Sequence, residues 1–237
     1  MANPYFSFKQ FTVYQDRCAM KVGIDGVLLG VWSRIENATR ILDIGTGTGL
    51  IALMLAQRST SIIDSIDINP NAVIQASENI RVSPWANRLK VQEISLQDFA
   101  VNAIHRYDLI VSNPPYFINS LKAPNEDRTT ARHTDSLTHE ELISYSISLL
   151  KPFGRICIIL PVIEAIQCKN YALSKGLFCR REVRVIPKPN AETKRILMEF
   201  GLLVCQNEVS ELVIESDIRH HYSSEFSLLA KDFYLRL

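Results

Sequence analysis

The chain has 237 residues, is 47% hydrophobic and 22% charged, and carries a formal net charge of +1. That length suits one large α/β domain or two small ones. The near-neutral charge excludes a nucleic-acid surface built on bulk charge, so any such surface must come from local clustering of basic residues. The five cysteines (Cys18, Cys157, Cys168, Cys179, Cys205) are odd in number and form no C-x-x-C pair. They read as buried thiols in a reducing compartment, with neither a disulfide framework nor a zinc site.

Met1–Phe6 lacks a basic stretch followed by an apolar one, so it does not read as a secretory signal. The best apolar run, Ile156 to Ile163, contains a proline and is far too short to span a membrane. A cytoplasmic protein with no membrane association and no obligate protein partner is expected.

Phe6–Gln15 mixes aromatic and β-branched residues and predicts a short strand or hairpin. Met20–Gly26 is turn-like and leads into a short apolar helix over Val27–Trp32. Strand and helix then alternate. Strands are predicted at Arg40–Ile44, Ile62–Ile68, Leu89–Ile94, Tyr107–Ser112 and Arg155–Leu160. Helices are predicted at Leu50–Arg58 and at Pro70–Ile80, the latter opened by proline in its first turn. A third helix runs to Leu149 from Thr138, where Thr138 and Glu141 have capping-box spacing. A fourth spans Ile163–Lys175 and ends at Gly176.

Phe178–Ile186 and Arg195–Val204 read as two strands, expected to be antiparallel because no helix fits in the Pro-rich loop between them. Repeated β-α-β units predict a sheet with helices on both faces. One domain, 1–237, is the simplest organisation, with residues 1–37 as an N-terminal extension.

Asp43-Ile44-Gly45-Thr46-Gly47-Thr48-Gly49-Leu50 lies between a strand and a helix, where glycines let a ligand approach the backbone. A dinucleotide fingerprint needs G-x-G-x-x-G, and here the third glycine arrives one position early. Asp43 would repel a pyrophosphate and suit a cationic ligand. Asp67, closing the next strand, can accept both hydroxyls of a ribose. Asp98, after the third strand, can accept from an adenine amine, with Ile68 or Phe99 beside the ring; a surface helix cap would look the same. A ribose, an adenine and a cationic amino-acid portion together describe S-adenosylmethionine.

Asn113-Pro114-Pro115-Tyr116 stops the apolar strand that precedes it. It places a carboxamide, carbonyls and an aromatic ring at a strand's C-terminal end, where open α/β sheets bind ligands. The glycine loop, Asp67, Asp98 and this tetrapeptide together resemble the class I S-adenosylmethionine-dependent methyltransferases that act on nitrogen. The resemblance implies a Rossmann-like, seven-stranded sheet whose last strand is antiparallel.

Segments outside those motifs narrow the resemblance: Phe8–Phe11 with Met20–Gly30, Ala131–His133 with Leu137-Thr138, and Tyr222–Leu235. They look like those of the bacterial tRNA1(Val) adenine-N6-methyltransferases, which act on the adenine immediately 3′ of the anticodon, position 37. The departures are small, such as Ile24 where threonine is expected. This resemblance implies Asn113, Pro114, Pro115 and Tyr116 as catalytic residues. It implies Lys21, Gly23, Asp43, Gly45, Gly47, Gly49, Asp67, Ile68, Asp98 and Asn113 around the methyl donor, with no metal.

An exocyclic amine is a poor nucleophile because its lone pair is delocalised into the ring. The Asn113 side-chain oxygen and the Pro114 carbonyl can each accept one amine hydrogen, and Tyr116 can stack on the base. For the RNA itself the basic residues Arg128, Arg132 and His133 follow the motif. Arg180, Arg181, Arg184, Lys188, Lys194 and Arg195 cluster later; for these a protected strand edge is the alternative. A guanine-N2 methyltransferase of ribosomal RNA, a glutamine-N5 methyltransferase of release factors and an inactive RNA-binding module are the competing readings of function.

Overall fold

The computed structural model describes residues 3–18, 20–115, 137–218 and 221–237. The first two strands, β1 (Tyr5–Ser7) and β2 (Thr12–Tyr14), pair as a small antiparallel hairpin. Helix α1 (Ile24–Trp32) leads to β3 (Arg40–Ile44), α2 (Leu50–Arg58), β4 (Ile62–Asp67), α3 (Pro70–Arg81) and β5 (Leu89–Glu93). Then come α4 (Leu96–Asn102), β6 (Tyr107–Ser112), α5 (His139–Leu149), β7 (Leu150–Pro161) and α6 (Val162–Ser174). The strands β8 (Phe178–Ile186), β9 (Arg195–Gly201) and β10 (Glu208–Val213) and the helix α7 (Ser224–Ala230) complete the described strands and α-helices.

The main sheet has the order β10-β8-β9-β7-β6-β3-β4-β5. Strands β5, β4, β3, β6 and β7 are mutually parallel, and β9 runs antiparallel to both β7 and β8. The expected antiparallel strand is therefore present, but the sheet has eight strands rather than seven. The extra one is β10, which adds parallel to the outer edge of β8. In β10 four exposed residues precede the buried Leu212, so no apolar run marks it in the sequence. The short helix α4 was likewise not expected; Leu96 is its one buried residue.

Consecutive core residues point to opposite faces of the strands, as a doubly covered sheet requires. Ile41, Leu109, Cys157 and Leu197 face α1, α2 and α7, together with Leu28, Leu53, Met54 and Phe226. Leu42, Ile110, Ile158 and Met198 face α4, α5 and α6, together with Leu142, Ile143, Ala165 and Ala172. Among the described residues no helix is long and apolar enough to cross a membrane.

Candidate active site

The C-terminal ends of β3, β4 and β6 lie side by side, and the loops leaving them shape the site. After β3 the chain turns through Gly45, Gly47 and Gly49, all in the left-handed region at φ 70°, 56° and 81°. A side chain is strained there, which is why glycine recurs at these positions. No heavy atom lies within 4 Å of where a Cβ would stand on Gly45 or Gly47, so the loop presents bare backbone to open space. At Gly49, by contrast, an added Cβ would stand 3.4 Å from the Ala76 Cβ, so here the glycine lies close against α3.

Two carboxylates hold this loop. Asp67 Oδ2 accepts the Gly47 N–H at 2.9 Å, and its Oδ1 accepts the Asn69 N–H at 2.9 Å. Asp43 is fully buried beneath the turn, with Oδ2 accepting the Thr46 hydroxyl at 2.6 Å. Burial pushes the Asp43 carboxyl up to about 7, and the nearby Asp67 adds to the rise; the Thr46 hydroxyl and the Ala52 N–H pull the other way. Asp43 Oδ1 lacks a hydrogen bond of normal geometry among the described residues.

A cavity of about 460 Å³ opens against these elements. Gly45, Gly47, Asp67, Ile68, Asn113, Pro114 and Pro115 line it, so one wall joins the glycine loop, the end of β4 and the end of β6. Ile68 is 52% exposed, an apolar surface presented to the cavity rather than to the core. Ser112, just before the motif, is buried and donates to the Ile44 carbonyl at 2.9 Å, which ties the end of β6 to β3. Tyr116, Arg128, Arg132 and His133 lie outside the described residues.

Several expected residues sit elsewhere. Asp43 supports the loop from below and is not part of the cavity wall. Asp98 is exposed and also off the wall: its carboxylate accepts the Ser95 hydroxyl at 2.7 Å, while Ser95 Oγ accepts the Asp98 N–H at 3.0 Å. Ser95 is the N-cap of α4, so Asp98 completes a capped helix end, and its neighbours Ser95, Leu96 and Gln97 meet the cavity instead. Lys21 Nζ donates to the Gln15 carbonyl, and Gly23 is the N-cap of α1; neither lines the cavity.

Arg17, Cys18 and Met20, a few residues earlier, do line it. Burial pushes the Cys18 thiol up, with a further rise from Asp67. No periodicity marks this segment in the sequence, and a buried cysteine in a passage of loop composition was the one available signal.

The later basic cluster divides by position. Arg181 packs over the Trp32 ring at 4.1 Å and pairs with the buried Glu199 at 3.7 Å, near the start of β8. Arg184 pairs with Glu182 at 3.6 Å. Lys188 and Lys194 lie exposed beyond the end of β8, at the cavity's end of the sheet. Arg195 is also at that end, but its Nε donates to Asp25 of α1 at 2.9 Å.

A glycine loop held by a β4 carboxylate and facing an Asn-Pro-Pro strand end defines a methyltransferase-type site, and the Methyltransferase small domain family model matches residues 27–161. A tRNA1(Val) (adenine(37)-N6)-methyltransferase of Parabacteroides distasonis is 52% identical over the full length of both chains. One of Trichodesmium erythraeum is 48% identical, again over all of both. A solved structure described as a predicted O-methyltransferase, from Agrobacterium tumefaciens, has a TM-score of 0.69 at 16% identity, covering 88% of this chain and 96% of its own, and shares the fold. The chain belongs to the methyltransferase small domain family and, within it, to the family of the bacterial tRNA1(Val) (adenine(37)-N6)-methyltransferases.

Proposed function

We propose that this protein methylates the exocyclic N6 of the adenine at position 37 of tRNA1(Val), with S-adenosylmethionine as donor and the cytoplasm as its compartment. The observation that carries this reading is that Asp67, the Gly45–Gly47 backbone and Asn113–Pro115 share one cavity wall.

The residues present fit the donor. The space over Gly45 and Gly47, which any Cβ would occupy, admits its amino-acid portion against backbone. Asp67 is oriented by two backbone amides and keeps acceptor capacity for ribose hydroxyls. Ile68 offers an apolar face to the adenine ring, with Ser95–Gln97 at its edge. S-adenosylmethionine supplies an electrophilic methyl group on a sulfonium.

The chain's own contribution is orientation. The Asn113 side-chain oxygen and the Pro114 carbonyl each accept one hydrogen of the target amine, which turns its lone pair out of conjugation. Pro115 removes a competing N–H at that edge, so acceptors dominate where the amine must sit. Tyr116 stacks on the base, held out of its own strand, and Arg128, Arg132 and His133, which follow in the sequence, contact the RNA. Lys188 and Lys194 add phosphate contacts from the turn after β8.

The test is incubation with labelled donor and unmodified tRNA, followed by nucleoside analysis. N6-methyladenosine confined to position 37 is expected. Label found only in N2-methylguanosine, or only in protein, would sink the reading.

A further inference from the structure

Residues 15–18 and 20–23 form neither strand nor helix, yet Gln15 and Cys18 are buried. Backbone groups here need hydrogen-bond partners; the Gln15 N–H finds one in the Pro4 carbonyl at 2.8 Å, but among the described residues no strand supplies them to the outer edge of Tyr14 in β2 or to Arg17. Side-chain carboxamides do. Asn79 of α3, fully buried, accepts the Tyr14 N–H on Oδ1 at 2.9 Å and donates from Nδ2 to the Tyr14 carbonyl at 2.8 Å. It therefore pairs with that peptide as a neighbouring strand would. The same Nδ2 donates to the Thr48 carbonyl in the glycine loop at 2.9 Å.

One turn earlier Gln75, also fully buried, accepts the Arg17 N–H on Oε1 at 2.9 Å. The Arg17 guanidinium meets Glu78 of the same helix at 3.4 Å. Helix α3 begins at the cavity: Asn69 caps it, bonds Asp67 through its backbone N–H, and Asn71 and Ala72 line the wall.

We infer that Gln75 and Asn79 are positioning residues for the methyl donor. Through these carboxamides α3 fixes the Arg17–Cys18 wall and the glycine loop at one spacing around the donor. The inference rests on the donor reading above and extends it to two residues that touch neither donor nor RNA. Losing either carboxamide leaves part-buried backbone groups unpaired. The Tyr14–Cys18 segment then samples positions off the cavity, and donor affinity falls by the fraction of molecules in which the wall is out of place.

The experiment compares wild type with the near-isosteric variants Gln75→Met and Asn79→Leu. S-adenosylhomocysteine titrated by calorimetry reads donor-site affinity, and turnover on tRNA reads kcat and both KM values. Donor Kd and donor KM should rise by roughly tenfold while kcat and the tRNA KM stay within about twofold. Amide-exchange protection at Tyr14 and Arg17 should fall alongside.

A loss of kcat with unchanged donor KM would mean that the carboxamides only hold the fold together, and it overturns the inference. Wild-type affinity in folded variants overturns it as well. Gln75→Met removes one hydrogen bond only, so it tests the point even if Asn79→Leu does not fold. Wild-type protein that binds no S-adenosylhomocysteine would overturn the donor reading and this inference together. Wild-type binding with unaltered variants overturns this inference alone.

Discussion

Asp67 Oδ2 accepts the Gly47 amide at 2.9 Å, so the carboxylate that closes β4 and the middle of the glycine loop form one unit. Its second oxygen accepts the Asn69 amide, also at 2.9 Å, and the orientation of the carboxylate is set before any ligand arrives. Charge-assisted hydrogen bonds to a preset acceptor are worth roughly twice neutral ones. Asp67→Ala should therefore weaken S-adenosylhomocysteine binding by about 2–4 kcal/mol, because the ribose hydroxyls go unpaired and the loop loosens. Asp67→Asn, which keeps one acceptor oxygen, should fall between the two. Calorimetric titration checks both, and affinity near wild type in Asp67→Ala would remove Asp67 from the donor site.

Asn113 stands at the other end of the same wall. If it orients the amine in the transition state, its loss acts on turnover rather than on donor binding. Asn113→Ala should lower kcat by about 10²–10³, the scale for one preorganised polar group, with donor affinity within about threefold. Single-turnover methylation of unmodified tRNA measures the first and calorimetry the second. Normal turnover would show that Asn113 has no such role.

The central strands, buried on both faces, were the elements most sharply legible in the sequence. Tyr107–Ser112 and Arg40–Ile44 have their expected bounds because central parallel strands read as continuous apolar runs. What escaped was held by partners rather than by its own pattern. Strand β10 exists because β8 offers it an edge, and α4 because Ser95 caps a short turn. The glycine loop, Asp67 and Asn113 to Pro115 converge because all three follow strand ends, which the β-α-β order already implies. Arg17, Cys18 and Met20 line the cavity, and the Arg17 N–H is held there by the Gln75 carboxamide nearly sixty residues away in sequence; no local signal encodes that.

Asp98 separates two expectations for one carboxylate. Its bond to the Ser95 hydroxyl at 2.7 Å, on an exposed helix end, makes it part of a cap. Asp98→Ala should cost about 1 kcal/mol of stability, as cap and helix-dipole changes do. Donor affinity should change by less than about threefold. A chemical denaturation midpoint and a donor titration on the same variant decide between the roles, and a tenfold loss of affinity would return Asp98 to the adenine.

Asp43 gives a pH signature. Its folded carboxyl titrates at about 7, against an ordinary value of 3.8, chiefly because burial disfavours the charge. The folded state therefore holds a proton that the unfolded chain has released, and stability falls as pH rises from about 4 to about 7, then levels off. The span corresponds to at most about 4 kcal/mol. Asp43→Asn, which keeps an oxygen for the Thr46 hydroxyl, should remove that slope and be relatively more stable at pH 8 than at pH 5. Urea midpoints across this range measure it, and identical slopes for the two proteins would contradict the raised Asp43 carboxyl.

The turn after β8 carries the remaining contrast. Lys188 and Lys194 stand exposed at the end of the sheet where Asn113 lies, and Lys194 meets Glu192 only at 3.7 Å across solvent. Such an exposed pair holds its lysine weakly and leaves it available to a phosphate. Arg195, by contrast, is half buried with its Nε on Asp25 at 2.9 Å. Deleting a cation that neutralises one phosphate should reduce the slope of log affinity for tRNA against log salt by about one. Lys188→Ala and Lys194→Ala should each do so with thermal stability unchanged. Arg195→Ala should lower stability by about 1–3 kcal/mol, since it takes a charged donor from the half-buried Asp25, and leave the salt slope nearly intact. Filter binding of unmodified tRNA across a salt series reads the slopes. A reversed pattern, with Arg195 setting the slope and the lysines silent, would place the RNA against β9 and α1 rather than on the turn.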